Sequence, residues 1–199
     1  MFNMKAPEDK FIIGIDEAGR GPLAGPVVVA GVAHRYGRRP VFLDRIKDSK
    51  KLTPKQREEW FIKLTRNQEI SWAVARIWPA VIDKINIARA ANLGARKVFE
   101  KLSKSFSAVA VLDGSLYLSR KTTFDTVIKG DEKLPVVAAA SIIAKVTRDR
   151  IMQRLHKKYP QYGFNAHKGY GTLFHRQRIK KFGRSKIHRK SFKVSPAVA

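Results

Sequence analysis

Three apolar stretches each deliver a carboxylate where a β-strand would stop. Asp16 and Glu17 follow Phe11-Ile12-Ile13-Gly14-Ile15, Asp113 follows Val109-Ala110-Val111-Leu112, and Asp131 comes shortly after a run ending at Ile128. An ionised side chain beside a core is costly without a compensating cation, and this chain has only 16 Asp and Glu to place. In an α/β sheet, strand ends are where a site is assembled from residues distant in sequence. Clustered carboxylates repel one another unless divalent cations neutralise them, and all-oxygen donor sets suit Mg2+ or Mn2+. Two such ions about 4 Å apart can activate water on one side of a phosphate and stabilise the leaving oxygen on the other. The chemistry this pattern predicts is hydrolysis of a phosphodiester.

Taken singly, each carboxylate also has an ordinary reading. Asp113, before Gly114, is as readily a turn former as a ligand, and Asp131 in Lys129-Gly130-Asp131-Glu132 shares that reading. Asp149, within Thr147-Arg148-Asp149-Arg150, is expected to pair with arginines of its own helix. Consecutive residues of a regular strand face opposite ways, so the strand carrying Asp16 and Glu17 is expected to bulge or end at Glu17, as Gly19 and Gly21 permit.

The elements that must position these groups follow from the apolar pattern. Phe11 to Ile15 and Pro26 to Val32 read as neighbouring buried strands, joined by the glycine- and proline-rich turn Gly19 to Pro26. Thr53-Pro54-Lys55-Gln56 is a helix start with a capping box, running to about Leu64. A strand is expected from Glu69 to Trp78 and one long helix from Asp83 to Leu102, then short strands at Ala108–Leu112 and Phe124–Ile128. The small residues Ala138 to Ser141 let a helix from Val136 to Tyr159 approach the sheet closely, with Pro160 and Gly163 marking its end. From His167 to Lys193 cations alternate with aromatic rings, as in a helical or partly mobile segment facing nucleic acid.

Composition narrows the partner. Lys and Arg number 41 against 16 acidic residues, a formal charge of +25. A field of that sign attracts polyanions and releases their counterions, which favours nucleic acid, with an anionic membrane surface second and a merely solubilising basic surface third. No Cys is present, which excludes disulfides, thiolate metal sites and cysteine nucleophiles. Neither a signal segment nor a bilayer-length apolar run occurs, so a cytoplasmic protein with no membrane partner is expected. The 199 residues, 44% hydrophobic, suit a single domain over 1–199, with an N-terminal arm at 1–10 and a basic segment from about 165 to 199 completing the substrate surface.

Read whole, Gly14-Ile15-Asp16-Glu17-Ala18-Gly19-Arg20-Gly21-Pro22-Leu23-Ala24-Gly25-Pro26-Val27-Val28 resembles the ribonuclease HII family. Further matches follow in order: Asp48-Ser49-Lys50-Lys51-Leu52, Val111-Leu112-Asp113-Gly114, Lys129-Gly130-Asp131, Ala138 to Arg150, and His167-Lys168-Gly169-Tyr170. The resemblance implies an α/β, RNase H-like fold with a mixed five-stranded sheet flanked by helices, its first two strands antiparallel neighbours. It implies Asp16, Glu17, Asp113 and Asp131 as catalytic metal-site residues with Mn2+ or Mg2+. The substrates implied are RNA/DNA hybrids and duplex DNA containing a single ribonucleotide, cut to 5′-phosphate and 3′-hydroxyl ends.

Distinguishing RNA from DNA requires contact with the 2′-hydroxyl, both donor and acceptor. The resemblance implies that Gly19-Arg20-Gly21 reads that hydroxyl and that Tyr170 contacts the neighbouring sugar; a half-buried packing ring is the other reading of Tyr170. Ser49, Lys50 and Lys51, and Lys145 and Arg148 on the long helix, are implied phosphate contacts, although a solvated basic surface would look the same. His167 has no second His at ligand spacing and is assigned to structure or a phosphate contact. Trp78-Pro79 stands where the family commonly has Ser-Pro, so the capping hydroxyl of that helix is missing. Ribonuclease HIII, a related enzyme with an extra N-terminal domain, is expected to be excluded because about ten residues precede the first strand. A non-catalytic basic RNA- or DNA-binding protein is the alternative of a different class. A monomer is the default expectation.

Overall fold

The computed structural model describes residues 10–46, 52–120 and 122–195. Strands β1 (Phe11–Ala18), β2 (Val27–Arg35), β3 (Ser71–Ile77), β4 (Ala108–Asp113) and β5 (Phe124–Val127) form one sheet in the order β3-β2-β1-β4-β5. β1 pairs antiparallel with β2 and β2 with β3, whereas β1/β4 and β4/β5 are parallel. This is the mixed five-stranded sheet expected. β2 lies second from one edge and is buried along all but its last residue, because both faces of the sheet are covered, and its sequence is accordingly a nearly unbroken apolar run.

Helix α1 (Pro54–Arg66) carries the expected capping box, Thr53 Oγ1 accepting from Gln56 N–H and Gln56 Oε1 from Thr53 N–H. The predicted single helix from Asp83 is instead two, α2 (Pro79–Ile85) and α3 (Ile87–Leu102). Asn86 between them takes φ +67° and caps α3, its Oδ1 accepting from Arg89 N–H at 3.0 Å. Apolar spacing is blind to this break, because a short polar residue can leave the helical region without disturbing the periodicity on either side. α2 forms although Trp78 offers no capping side chain; the Trp78 carbonyl accepts from Val81 and Ile82.

A four-residue helix, α4 (Gly130–Lys133), precedes the long α5 (Pro135–Lys158). The basic tail contains α6 (Phe164–His167), α7 (Leu173–Phe182) and a return segment that bridges Ala24 at His188. α3 packs Ala90, Ala91, Ala95 and Val98 against Ile13, Ile15 and Val29 on one face of the sheet. α5 packs Val137, Ala140 and Ile143 against Ala30, Val32 and Val111 on the other. Each fully buried Val, Leu or Ile contributes about 1.5–3 kcal/mol to this sandwich. Gly14 sits where a Cβ would lie 2.6 Å from the Val136 backbone, so its missing side chain lets the first turn of α5 seat directly on β1. Among the described residues no helix is long and apolar enough to cross a membrane.

Candidate active site

β1 outruns its parallel neighbour. Pairing with β4 stops at Ile15↔Leu112, while pairing with β2 continues through Asp16, Glu17 and Ala18. The strand neither bulges nor stops at Glu17, contrary to the sequence expectation. Asp16 therefore faces α5, Glu17 faces the α3 side, and the two flank the open end of β4, where Asp113 is the last strand residue. Opposite faces are no obstacle once the neighbouring strand has ended. Asp131 lies in the first turn of α4, and the Gly130 N–H donates to Asp113 Oδ1 at 2.6 Å, tying α4 to the end of β4.

All four carboxylates line one cavity of about 280 Å3. Asp16 is 5% and Asp131 2% exposed. Burial, then the charges of Glu17 and Asp113, push the Asp16 carboxyl well above the usual range, against a hydrogen bond from the Ser141 hydroxyl. Burial also raises Glu17, partly offset by Arg20, whose Nη1 lies 3.3 Å from Oε1. The other oxygen, Glu17 Oε2, is buried and has no hydrogen-bond partner among the described residues.

An orphaned buried carboxylate oxygen, and acids raised by burial and then by one another's charge, fit a site that takes up a cation. Among the described residues no three His, Asp or Glu side chains stand drawn together as a finished ligand set. The Arg20 contact and the Gly130 N–H each hold one carboxylate. The donor chemistry, acid oxygens without Cys or His, fits Mg2+ or Mn2+.

Beside the carboxylates, Gly19 has φ +94°, and a Cβ there would lie 2.0 Å from Arg148 Nε. Arg148, expected as a phosphate contact on the face of the long helix, lines the cavity but is turned inward. It is 1% exposed, donating to the carbonyls of Pro26, Ala24 and Lys168 at 2.9–3.2 Å. A solvated basic surface, the other reading of this cation, does not apply, because the turn following Gly19 folds over it. Lys145 lines the cavity and pairs with Asp149 at 2.9 Å, so Asp149 has a lysine partner rather than the expected arginines. Tyr170, 45% exposed, borders the cavity, with its ring edge near Gly21. Ser49, Lys50 and Lys51 lie outside the described residues.

Sequence reasoning missed Ser141 and Arg57, which line the cavity, and Ser115, which accepts from Arg20 at 2.8 Å. It also missed Arg189, which is fully buried. Nothing in the sequence separates Arg57 or Arg189 from the 39 other cations. Ser141 was legible only as a small residue.

The tail is held by an ordered imidazole chain. Ser185 N–H donates to His188 Nδ1, which leaves the proton on His188 Nε2 to bond His175 Nε2 at 3.0 Å; His175 Nδ1–H then donates to the Tyr170 carbonyl at 2.9 Å. His167 donates from Nε2 to the Tyr162 carbonyl and accepts at Nδ1 from Gly169 N–H, a structural role. Burial lowers both His175 and His188 to about 4, each further opposed by another imidazole's charge. A folded-state pKa below the unfolded value of about 6.5 gives stability that is complete above pH 6.5 and lost as pH falls toward 4. The thermal midpoint should drop by on the order of 5–10 °C across that window. A scan of unfolding temperature against pH that is flat there would contradict the network.

A mixed sheet with an antiparallel leading hairpin, a parallel continuation and carboxylates converging at the strand ends defines an RNase H-like nuclease. The Ribonuclease HII family profile matches residues 13–195. Ribonuclease HII of Chloroherpeton thalassium is 47% identical over 94% of this chain and 91% of its own. Among solved structures, ribonuclease H2 from Pyrococcus horikoshii superposes with a TM-score of 0.71 at 31% identity, covering 92% of this chain and 94% of that one. RNase HII in the PCNA complex from Archaeoglobus fulgidus gives 0.77 at 28%, covering 94% and 96%. The chain belongs to the ribonuclease HII family. It is a metal-dependent endonuclease, a hydrolase with ribonuclease H activity on RNA/DNA.

Proposed function

We propose that this enzyme, working as a monomer, cuts the RNA strand of hybrids and also incises duplex DNA at a single embedded ribonucleotide, with Mn2+ or Mg2+ held by Asp16, Glu17, Asp113 and Asp131. The observation that carries the reading is that these carboxylates share one cavity with Gly19 and Tyr170, so the group that is cut and the sugar that is recognised meet in one place.

The divalent ions supply charge neutralisation at the phosphate and lower the pKa of attacking water. The chain supplies the rest. Asp16 and Glu17 at the end of β1, Asp113 at the end of β4 and Asp131 in the first turn of α4 would hold the ions. Ser141 holds Asp16 in orientation through its hydroxyl. Lys145 at the cavity wall offers a positive group to a neighbouring phosphate. The turn at Gly19-Arg20-Gly21 reads the 2′-hydroxyl, and Tyr170 packs against the adjoining sugar. Water attacks phosphorus and the bond to the 3′-oxygen breaks, leaving a 3′-hydroxyl upstream and a 5′-phosphate downstream.

The test is a labelled DNA duplex carrying one ribonucleotide, incubated with Mn2+, Mg2+ or chelator, with the cut mapped to the nucleotide and an all-DNA duplex alongside. One metal-dependent cut at the ribonucleotide is expected. Cleavage of the all-DNA duplex at a similar rate, or cutting that survives chelation, would refute the proposal.

A further inference from the structure

Arg189 is a fully buried guanidinium whose three described acceptors are all backbone carbonyls of the turn beside the active site. Nη2 donates to the Gly19 carbonyl at 2.6 Å, Nη1 to Arg20 at 2.7 Å and Nε to Gly25 at 3.1 Å. Its backbone is fixed as well, with Arg189 N–H bonded to the Leu23 carbonyl and Gly25 N–H to Ile187. Phe192 covers the guanidinium at 4.9 Å. The next backbone groups, Lys190 and Ser191 N–H, are anchored on Asp83 of α2 at 2.9 Å. Burial lowers the Arg189 pKa to about 9, so it is still charged at neutral pH. Keeping a cation there is costly unless its hydrogen bonds are recovered, and the turn returns three of them.

The geometry has a consequence for the other side of the turn. In a planar trans peptide the carbonyl and the following N–H point in opposite directions. With the carbonyls of both Gly19 and Arg20 drawn to one guanidinium, the N–H groups of Arg20 and Gly21 must both face away from it. A strand would alternate them. Among the described residues neither N–H donates to a protein acceptor, Gly19 lines the cavity and Gly21 is exposed. Two consecutive amides turned to one side form a small concave donor site for an oxygen.

We propose that Arg189 is a positioning residue for substrate discrimination, holding the Gly19 and Arg20 peptides so that the Arg20 and Gly21 amides form a donor pair for the ribose oxygen at the cut site. This rests on the reading that the enzyme recognises ribonucleotides. Lysine cannot replace arginine there, because a single ammonium does not span three carbonyls in one plane.

The experiment compares the parent with Arg189→Lys and Arg189→Met, each checked for folding by thermal unfolding. Binding is read by fluorescence anisotropy in chelator, so that no cleavage intervenes, to a duplex with one ribonucleotide and to the same duplex in all-DNA form. The ratio of the two affinities should fall about fivefold or more in the variants, the scale of a lost hydrogen bond or two. A purely structural defect lowers both affinities by the same factor, so an unchanged ratio in a folded variant overturns the proposal. Should neither variant fold, the parent decides: the 15N amide resonances of Arg20 and Gly21 should shift with the ribonucleotide duplex and not with all-DNA. An equal response to both duplexes overturns it. A parent that neither prefers nor cuts the ribonucleotide duplex brings down the functional reading, and this inference with it.

Discussion

Asp113→Asn should leave the protein folded and still able to bind a hybrid, while lowering kcat by about 10^2–10^4-fold, the scale of losing several kcal/mol of metal-borne transition-state stabilisation. The fold is expected to survive because an Asn Oδ1 still accepts the Gly130 N–H that joins α4 to β4. What is lost is a negative charge in a cavity where Asp16 and Glu17 already crowd each other. Removing it eases repulsion in the ion-free protein and weakens ion binding. Two measurements therefore belong together: single-turnover cleavage, and the rise in thermal midpoint on adding Mn2+, which should be smaller in the variant than in the parent. Parent-like turnover in Asp113→Asn would remove this residue from the metal site.

Gly19→Ala is expected to be the next most damaging change. The position has φ +94°, where an L side chain is strained, and the new Cβ would fall 2.0 Å from Nε and 2.4 Å from Cδ of Arg148. Arg148 cannot swing aside without abandoning the carbonyls of Ala24, Pro26 and Lys168 in a buried place. Strain and broken bonds together should cost about 3 kcal/mol or more, lowering the midpoint of a chain this size by roughly 6–12 °C. Because Arg189 grips the Gly19 carbonyl as well, cleavage should fall even at temperatures where the variant is folded. A variant with the parent's midpoint and turnover would mean that the turn is not held as described.

The two arginines behind these expectations were the least legible part of the chain. The strands, the capping box of α1, the span of α5 and the carboxylates at strand ends could be read locally, because apolar periodicity and turn residues report on a residue's own segment. Asn86 escaped because the apolar pattern runs through it unbroken. The geometry of Asp16 and Glu17 was not legible locally, where opposite-facing side chains of one strand need a bulge or a strand end to share a site. Whether they do depends on how far β4 extends beside β1, a matter of register between segments about a hundred residues apart.

By itself, then, the sequence determined the elements, the family resemblance and which acids were candidates, since those follow from side-chain chemistry and short-range spacing. Tertiary structure alone decided which cations stay in water and which turn inward. Arg148 and Arg189 look like any others among 41 basic residues until the turn from Gly19 to Pro26 and the returning tail close over them. The physical reason is that a buried guanidinium is tolerated only where unpaired backbone carbonyls converge on it, and that convergence exists only once the turn and the segments returning from far along the chain have met.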